Sequence, residues 1–282
     1  MRGAWAGLVR PVALVPVGVV AFLFGALGAG RVPPWPEVLR LVLFAGLLVS
    51  VSLGADTLNQ VADLHQDVLN WQNRKDQRPM PSGLLSPVNT LSAVVTGWFV
   101  VLVVGALTLP ATTVVLLLLV VLASWGYSMP PIRAKDRFPL NLAYLSAPRG
   151  AFGVAAAWTV YGGLLDPHLL ALIAALVPFI LLAQSSKDIG DREADLATGT
   201  ATVATLWGET AARRVTMAGL CWPIAAVGLL SMWRWDPYLL LLAVPAVVGL
   251  WGCPRWAPQR VWALFYATLG LVAVLAFLPL VV

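Results

Sequence analysis

Charge is what this sequence has least of. Eighteen Lys and Arg and 13 Asp and Glu make up only 11% of its 282 residues, against about a quarter in an average soluble domain. Hydrophobic residues supply 60% of the chain and the mean hydropathy is +0.84, a balance that excludes a soluble globular protein. Lysine is scarcer still, with only Lys75, Lys135 and Lys187. The abundance of Ala, Val, Leu, Gly and Arg looks like a high-GC coding bias, so the position of each lysine is informative. Cysteine is nearly absent: Cys221 and Cys253 lie in or beside apolar runs, which leaves them as small buried hydrophobes and excludes a disulfide framework. The net charge of +5 points to no nucleic-acid partner, because the basic residues are scattered between apolar runs instead of clustering on one segment.

Those runs have membrane length. A spanning helix needs about 20 mostly apolar residues, and Pro, Gly and charge punctuation divides the chain into nine such runs, at about 11–29, 36–60, 88–108, 111–129, 139–162, 168–187, 211–232, 237–252 and 259–281. The expectation is an all-α, multi-pass membrane protein with nine transmembrane helices in a bundle. Arg2 and Arg10 before the first run imitate a signal peptide, but eight further spans favour a retained helix. Fourteen of the 18 basic residues fall on alternate connections, together with ten of the 13 acids. By the positive-inside rule the N-terminus and those connections are cytoplasmic and the C-terminus is outside, in a bacterial or archaeal cell membrane. Trp35, Trp125, Trp233, Trp235 and Trp256 sit near span ends, where indoles face both lipid and headgroups.

The acids on that face are patterned. Asn59, Asp63 and Asp67 follow one another at i, i+4 and i+8 and so form one stripe on a helix. Asp188, Asp191 and Asp195 repeat the arrangement at i, i+3 and i+7 at the end of the sixth span. One stripe alone is equally a solvated helix end. Two stripes reaching the same face suit a hard cation with oxygen ligands, Mg²⁺ above all, which is commonly held by one or two carboxylates and substrate phosphates. Cations that would bind such a phosphate lie beside them: Arg74, Lys75 and Arg78 after the first stripe, Lys187 and Arg192 within the second, and Lys135 in a third loop. The positive-inside rule accounts for their side of the membrane, but not for the use of Lys where Arg dominates.

These residues resemble the UbiA superfamily of intramembrane prenyltransferases. The first stripe is similar to its N-x-x-x-D-x-x-x-D motif and is followed by Asn70 and by Arg78-Pro79-Met80-Pro81-Ser82-Gly83, like the family's R-P-x-P-S-G stretch. Asp191 and Asp195 match D-x-x-x-D, preceded by Lys187 and Asp188 and trailed by Gly199 and Thr202. Between them Tyr127-Ser128-Met129-Pro130-Pro131-Ile132-Arg133-Ala134-Lys135 resembles Y-S-x-P-P-x-R-x-K, and Arg10-Pro11 also fits. The resemblance covers residues 1–282 as a single domain with cytoplasmic motif loops at about 61–87, 128–138 and 188–210. It implies that Asn59, Asp63, Asp67, Asp191 and Asp195, with Asp188 assisting, hold Mg²⁺ on the diphosphate of an isoprenoid donor. It further implies that Arg10, Arg78, Tyr127, Lys135 and Lys187 contact the diphosphate, and that the nine-helix bundle surrounds a central cavity that opens sideways and admits a polyprenyl tail from the lipid bilayer.

The expected reaction is transfer of an isoprenyl group from an allylic prenyl diphosphate to a lipophilic acceptor, an aromatic compound or quinone precursor. A UbiA-type terpene cyclase acting on the same donor is the alternative. A cation or lipid-phosphate transporter fits poorly, since the polar residues gather at one end instead of at the midplane. Two features depart from the family pattern. More residues separate Asn70 from Arg78, and Asp56 places an acid one turn inside the first stripe. Asp56 reads either as a helix-end hydrogen bond or as a proton acceptor or metal support. Arg149, read as a buried base on the fifth span, needs an acceptor head group or an interhelical salt bridge as partner. Tyr127, Tyr144 and Trp158 are aromatic faces open to either packing or cation–π contact.

Overall fold

A computed structural model describes residues 8, 11–69, 77–230 and 237–278. Twelve α-helices and three other helical segments follow one another, and no strand occurs among the described residues. In chain order they are α1 (Pro11–Gly28), α2 (Trp35–Ala62), α3 (Leu64–Leu69), α4 (Pro87–Thr108), α5 (Ala111–Ser128), a 3₁₀ turn (Ala134–Asp136), α6 (Leu140–Ser146), a π-helical segment (Ala147–Phe152), α7 (Gly153–Trp158), α8 (Pro167–Ala183), α9 (Ser185–Thr198), α10 (Val203–Leu230), a second 3₁₀ stretch (Pro237–Leu242), α11 (Ala243–Gly252) and α12 (Pro258–Phe277).

Local chemistry sets the boundaries. Proline stands in the first turn of α2, α4, α8 and α12, where its missing N–H leaves no intrahelical bond unmade. Asp166 caps α8 by accepting from the His168 amide at 2.8 Å. Inside the apolar helices the hydroxyls of Ser50, Thr90, Ser124, Thr216 and Thr268 donate to carbonyls one turn back, so these five need no water at that depth.

The helices close into a ring. α1 packs on α2, α2 on α5, α5 on the π segment, the π segment on α8, α8 on α10, α10 on α11, α11 on α12 and α12 back on α1; α4 lies outside α2 and α5. The short α7 touches α1, α2, α5 and α8. One continuous core containing Phe24, Phe44, Leu117, Phe179 and Phe265 runs through this ring, while Val42, Phe99, Leu107, Leu122 and Val247 are exposed on its outside. Apolar inside and out is the pattern of helices whose solvent is lipid.

Close approach depends on small residues. A Cβ on Gly219 of α10 would lie 2.4 Å from the Ala183 amide nitrogen of α8, so backbone, not a side-chain tip, must move. Gly219→Ala is therefore expected to cost about 1–3 kcal/mol, read as a lower melting temperature of the detergent-solubilised protein.

Among the described residues five helical stretches are long and apolar enough to cross a membrane: Trp35–Ala62, Pro87–Thr108, Ala111–Ser128, Pro167–Thr198 (α8 continued by α9) and Pro258–Phe277; Leu14–Gly28 and Leu240–Gly252 are shorter apolar helices. Two of the nine runs differ most from single straight spans. The run at 139–162 breaks into α6, the π segment and α7, because Pro148 offers no N–H and the Gly153 amide bonds back to the Pro148 carbonyl. The run at 211–232 starts earlier, at Val203, and bends at Gly208 with φ 84°. The stretch at about 188–210 is mostly helix: α9 carries the acids to Thr198 and ends on Gly199 at φ 73°, a left-handed cap.

Candidate active site

The first stripe straddles a break. α2 carries Asp56 and Asn59 and stops at Ala62, Asp63 leaves helical geometry, and α3 resumes at Leu64 with Asp67. The Asp67 amide still bonds to the Asp63 carbonyl at 2.7 Å, so the stripe stays aligned. Asn59 Nδ2 donates to Asp63 Oδ2 at 2.8 Å. Lys135 Nζ pairs with Asp63 Oδ1, and Arg78 Nη1 pairs with the buried Asp67 Oδ2 at 2.7 Å.

The second stripe faces it from α9, and polar links tie the two together. Gln66 Nε2 donates to the Thr198 and Thr200 hydroxyls, each at 2.8 Å. The Thr200 amide bonds the Asp195 carbonyl at 2.9 Å, and the Ala201 amide bonds the Asp136 carbonyl at 3.1 Å. The third loop thus joins the same assembly, fixed further by Arg133, which pairs with Asp136 and donates to the Ala62 carbonyl at 3.3 Å.

Between them opens a polar chamber. Asp63, Asp67, Asp136, Asp188, Asp191 and Asp195 line it, with Asn59, Gln66, Tyr127, Asn141 and the ammonium groups of Lys135 and Lys187. Burial pushes the Lys135 ammonium below the ordinary lysine range, and the Asp63 carboxylate opposes that shift. Lys187 Nζ stands 6.0 Å from the centre of the Tyr127 ring. Among the described residues no three His, Cys, Asp or Glu side chains converge in a ready-made metal cage. The all-oxygen donor set nevertheless fits Mg²⁺, which takes one or two carboxylates and completes its shell with water and substrate phosphate.

A second, larger chamber borders the first and runs between the helices of the bundle. Leu14, Val20, Phe24, Leu48, Val154, Ile180, Trp262 and Phe265 make most of its wall apolar, and Asn59, Tyr127, Leu145 and Lys187 border both chambers. Asp56, Ser124, Tyr144 and Arg149 supply its polar points. The two chambers place a charged compartment directly against a mostly apolar one.

The structure brings Asn59, Asp63, Asp67, Asp188, Asp191, Asp195, Tyr127, Lys135 and Lys187 to the polar chamber. Arg78 stands behind Asp67 instead of on the chamber wall, and Arg192 turns away to the Ala204 carbonyl at 3.0 Å. Arg10 lies outside the described residues, as do Asn70, Arg74 and Lys75. Arg149 corrects the sequence reading: it is exposed to the large chamber because the π segment turns it inward, and its partner is the amide Gln184 Oε1 at 3.0 Å instead of a carboxylate. Trp158 packs in the core against α1 and not on the chamber. Gln66, Asn141 and Thr200 escaped the sequence reading. Gln66 had a signal, since it falls between the stripe's two aspartates; Asn141 and Thr200 had none beyond polarity near a span end.

The profile of the UbiA prenyltransferase family matches residues 17–266. No curated protein sequence matches. Among solved structures, a UbiA homologue from Archaeoglobus fulgidus bound to DMAPP and Mg²⁺ is similar at TM-score 0.76, with 14% identity over 99% of each chain. The apo UbiA homologue from Aeropyrum pernix K1 gives TM-score 0.70 and 20% identity over 97% of this chain and 100% of its own. A digeranylgeranylglyceryl phosphate synthase gives 0.68 and 15% over 99% and 97%. At such identities the likeness establishes the fold.

Proposed function

Because the chain belongs to the UbiA prenyltransferase family, we propose that it moves an isoprenyl group from an allylic prenyl diphosphate to a lipophilic acceptor, an aromatic compound or quinone precursor, at an intramembrane site. The observation that carries this reading is the junction of the two chambers: carboxylates and lysines above, an apolar volume below, and Asn59, Tyr127, Leu145 and Lys187 at the seam. A prenyl diphosphate has that same division between charged head and hydrocarbon tail. The Archaeoglobus fulgidus homologue, in complex with DMAPP and Mg²⁺, supports both the donor class and the metal.

In this reading Asn59, Asp63, Asp67, Asp188, Asp191 and Asp195 hold Mg²⁺ with the diphosphate. When bound, the ion neutralises charge on the leaving group. Lys135 and Lys187 act on the same charge from the chain itself, with Arg78 fixing Asp67 and Arg10 and Tyr127 completing the contacts. Two unit charges 4 Å apart interact by about 1 kcal/mol in water but about 4 at an effective dielectric near 20, so a partly dry chamber strengthens the clamp. Below the seam, Tyr127, Tyr144, Trp262 and Phe265 exclude water from the allylic cation, and each aromatic face in range adds about 0.5–2 kcal/mol. Arg149 contacts the acceptor from the lower chamber. The nine apolar runs cross the membrane as nine spans, and the acidic face is cytoplasmic.

Incubating membranes with labelled geranylgeranyl diphosphate, Mg²⁺ and a panel of quinone precursors tests the proposal. The expected result is a prenylated product that disappears with Asp63→Ala. No product from any acceptor, with wild type and Asp63→Ala alike, overturns it; a cyclic hydrocarbon from donor alone turns the reading to a cyclase.

A further inference from the structure

Besides Asp136, which Arg133 holds, one carboxylate of the site has no role toward the donor. Asp56 lies on α2 three residues before Asn59 and seven before Asp63, roughly 4.5 and 10 Å along the helix axis. It lines the lower chamber and not the polar one. Asp63, Asp67 and Asp136 are each held by a cation, and Asp188, Asp191 and Asp195 have partners as well. The Asp56 carboxylate has neither an ion pair nor a side-chain hydrogen bond among the described residues; the one bond at this residue is Gln60 Nε2 to its backbone carbonyl. An ionisable group at this depth in a spanning helix carries a cost that function normally explains. Arg149, which lines the same chamber, is hydrogen-bonded to Gln184 and makes no ion pair with Asp56 among the described residues.

We propose that Asp56 is the proton acceptor of the transfer step. The inference rests on the prenyl-transfer reading above and narrows its acceptor to a molecule whose attacking atom carries a proton, such as a hydroxylated arene or an alcohol. The donor C–O bond breaks and its electron pair leaves with the diphosphate. The acceptor atom forms the new bond to the allylic carbon, and its proton passes to the Asp56 carboxylate, from which it leaves through the polar chamber bordering Asn59. Placement explains the division of labour: the stripe at Asp63 and Asp67 serves the leaving group, and Asp56 sits one to two turns deeper, on the side of the hydrocarbon tail and its acceptor.

The test uses the full chain in nanodiscs with geranylgeranyl diphosphate, Mg²⁺ and hydroxylated benzoates and naphthoates as acceptors. Asp56→Asn is expected to bind the donor within about twofold of wild type yet transfer about 100-fold or more slowly, the scale of a lost general base, and Asp56→Glu to recover at least about tenfold of that loss. With donor alone, wild type ends the allylic cation by proton loss to a hydrocarbon and Asp56→Asn by water capture to a prenyl alcohol. Unchanged transfer in Asp56→Asn, or a parallel loss of donor binding that marks a metal-supporting role, overturns the inference and leaves the prenyl-transfer reading standing. A wild-type protein that neither transfers nor ionises the donor overturns both.

Discussion

Asp63→Asn is expected to reduce prenyl transfer by about 10³-fold, the scale found when one preorganised electrostatic contact to a developing charge is removed. Asp191→Asn on the facing helix is expected to do the same, and the double variant to be little worse than either single one, because groups that act as a unit give strongly non-additive losses. Part of the Asp63 effect is structural. Lys135, whose side chain is 6% exposed, has Asp63 as its counter-charge, and stripping one partner from a buried pair costs about 3–5 kcal/mol. Asp63→Asn therefore melts earlier as well as turning over more slowly. Adding Lys135→Gln to it is expected to return most of the melting temperature and none of the transfer rate. An Asp63→Asn protein that melts early yet transfers at the wild-type rate below its melting temperature would place Asp63 among residues that only hold the fold.

The parts of this site that were legible in the sequence are those with a period. Asn59, Asp63 and Asp67 at every fourth position and Asp188, Asp191 and Asp195 on the next helical repeat mark one face of a helix whatever the surrounding packing, and both stripes do reach one chamber. The lysines were legible for a different reason: in a chain that otherwise uses Arg, their choice implies a compact point charge, and Lys135 and Lys187 both line that chamber. What resisted reading depends on backbone registration, which apolar periodicity does not encode. Nothing near Asp63 announces the break between α2 and α3, since no Gly or Pro stands there. The π segment at Ala147–Phe152 turns Arg149 into the lower chamber, although an α-helical reading buries it. Asp56 was legible as an anomaly, and the lack of a side-chain partner for it among the described residues emerged only once the surrounding helices were in place.

Lys135→Gln is expected to move two observables in opposite directions. Without ligand, Lys135 holds Asp63 and competes with any divalent cation for the same carboxylate. Removing the ammonium is expected to tighten Mg²⁺ binding several-fold in the absence of donor, seen as a lower midpoint in a Mg²⁺ titration of thermal stability. The same substitution is expected to slow transfer by about 10²–10³-fold, since an ammonium near 4 Å from a phosphate oxygen contributes up to about 4 kcal/mol at an effective dielectric near 20. Its burial keeps that interaction out of bulk water and predicts weak screening by salt, so the loss should persist when ionic strength is raised. The two effects share one cause, because the charge that guards Asp63 in the empty site is the one that neutralises the diphosphate once donor and metal arrive. A purely structural lysine would lower stability and activity together and leave the Mg²⁺ midpoint unmoved; a tighter metal site that transfers poorly identifies Lys135 as a cation that exchanges its carboxylate for the leaving group.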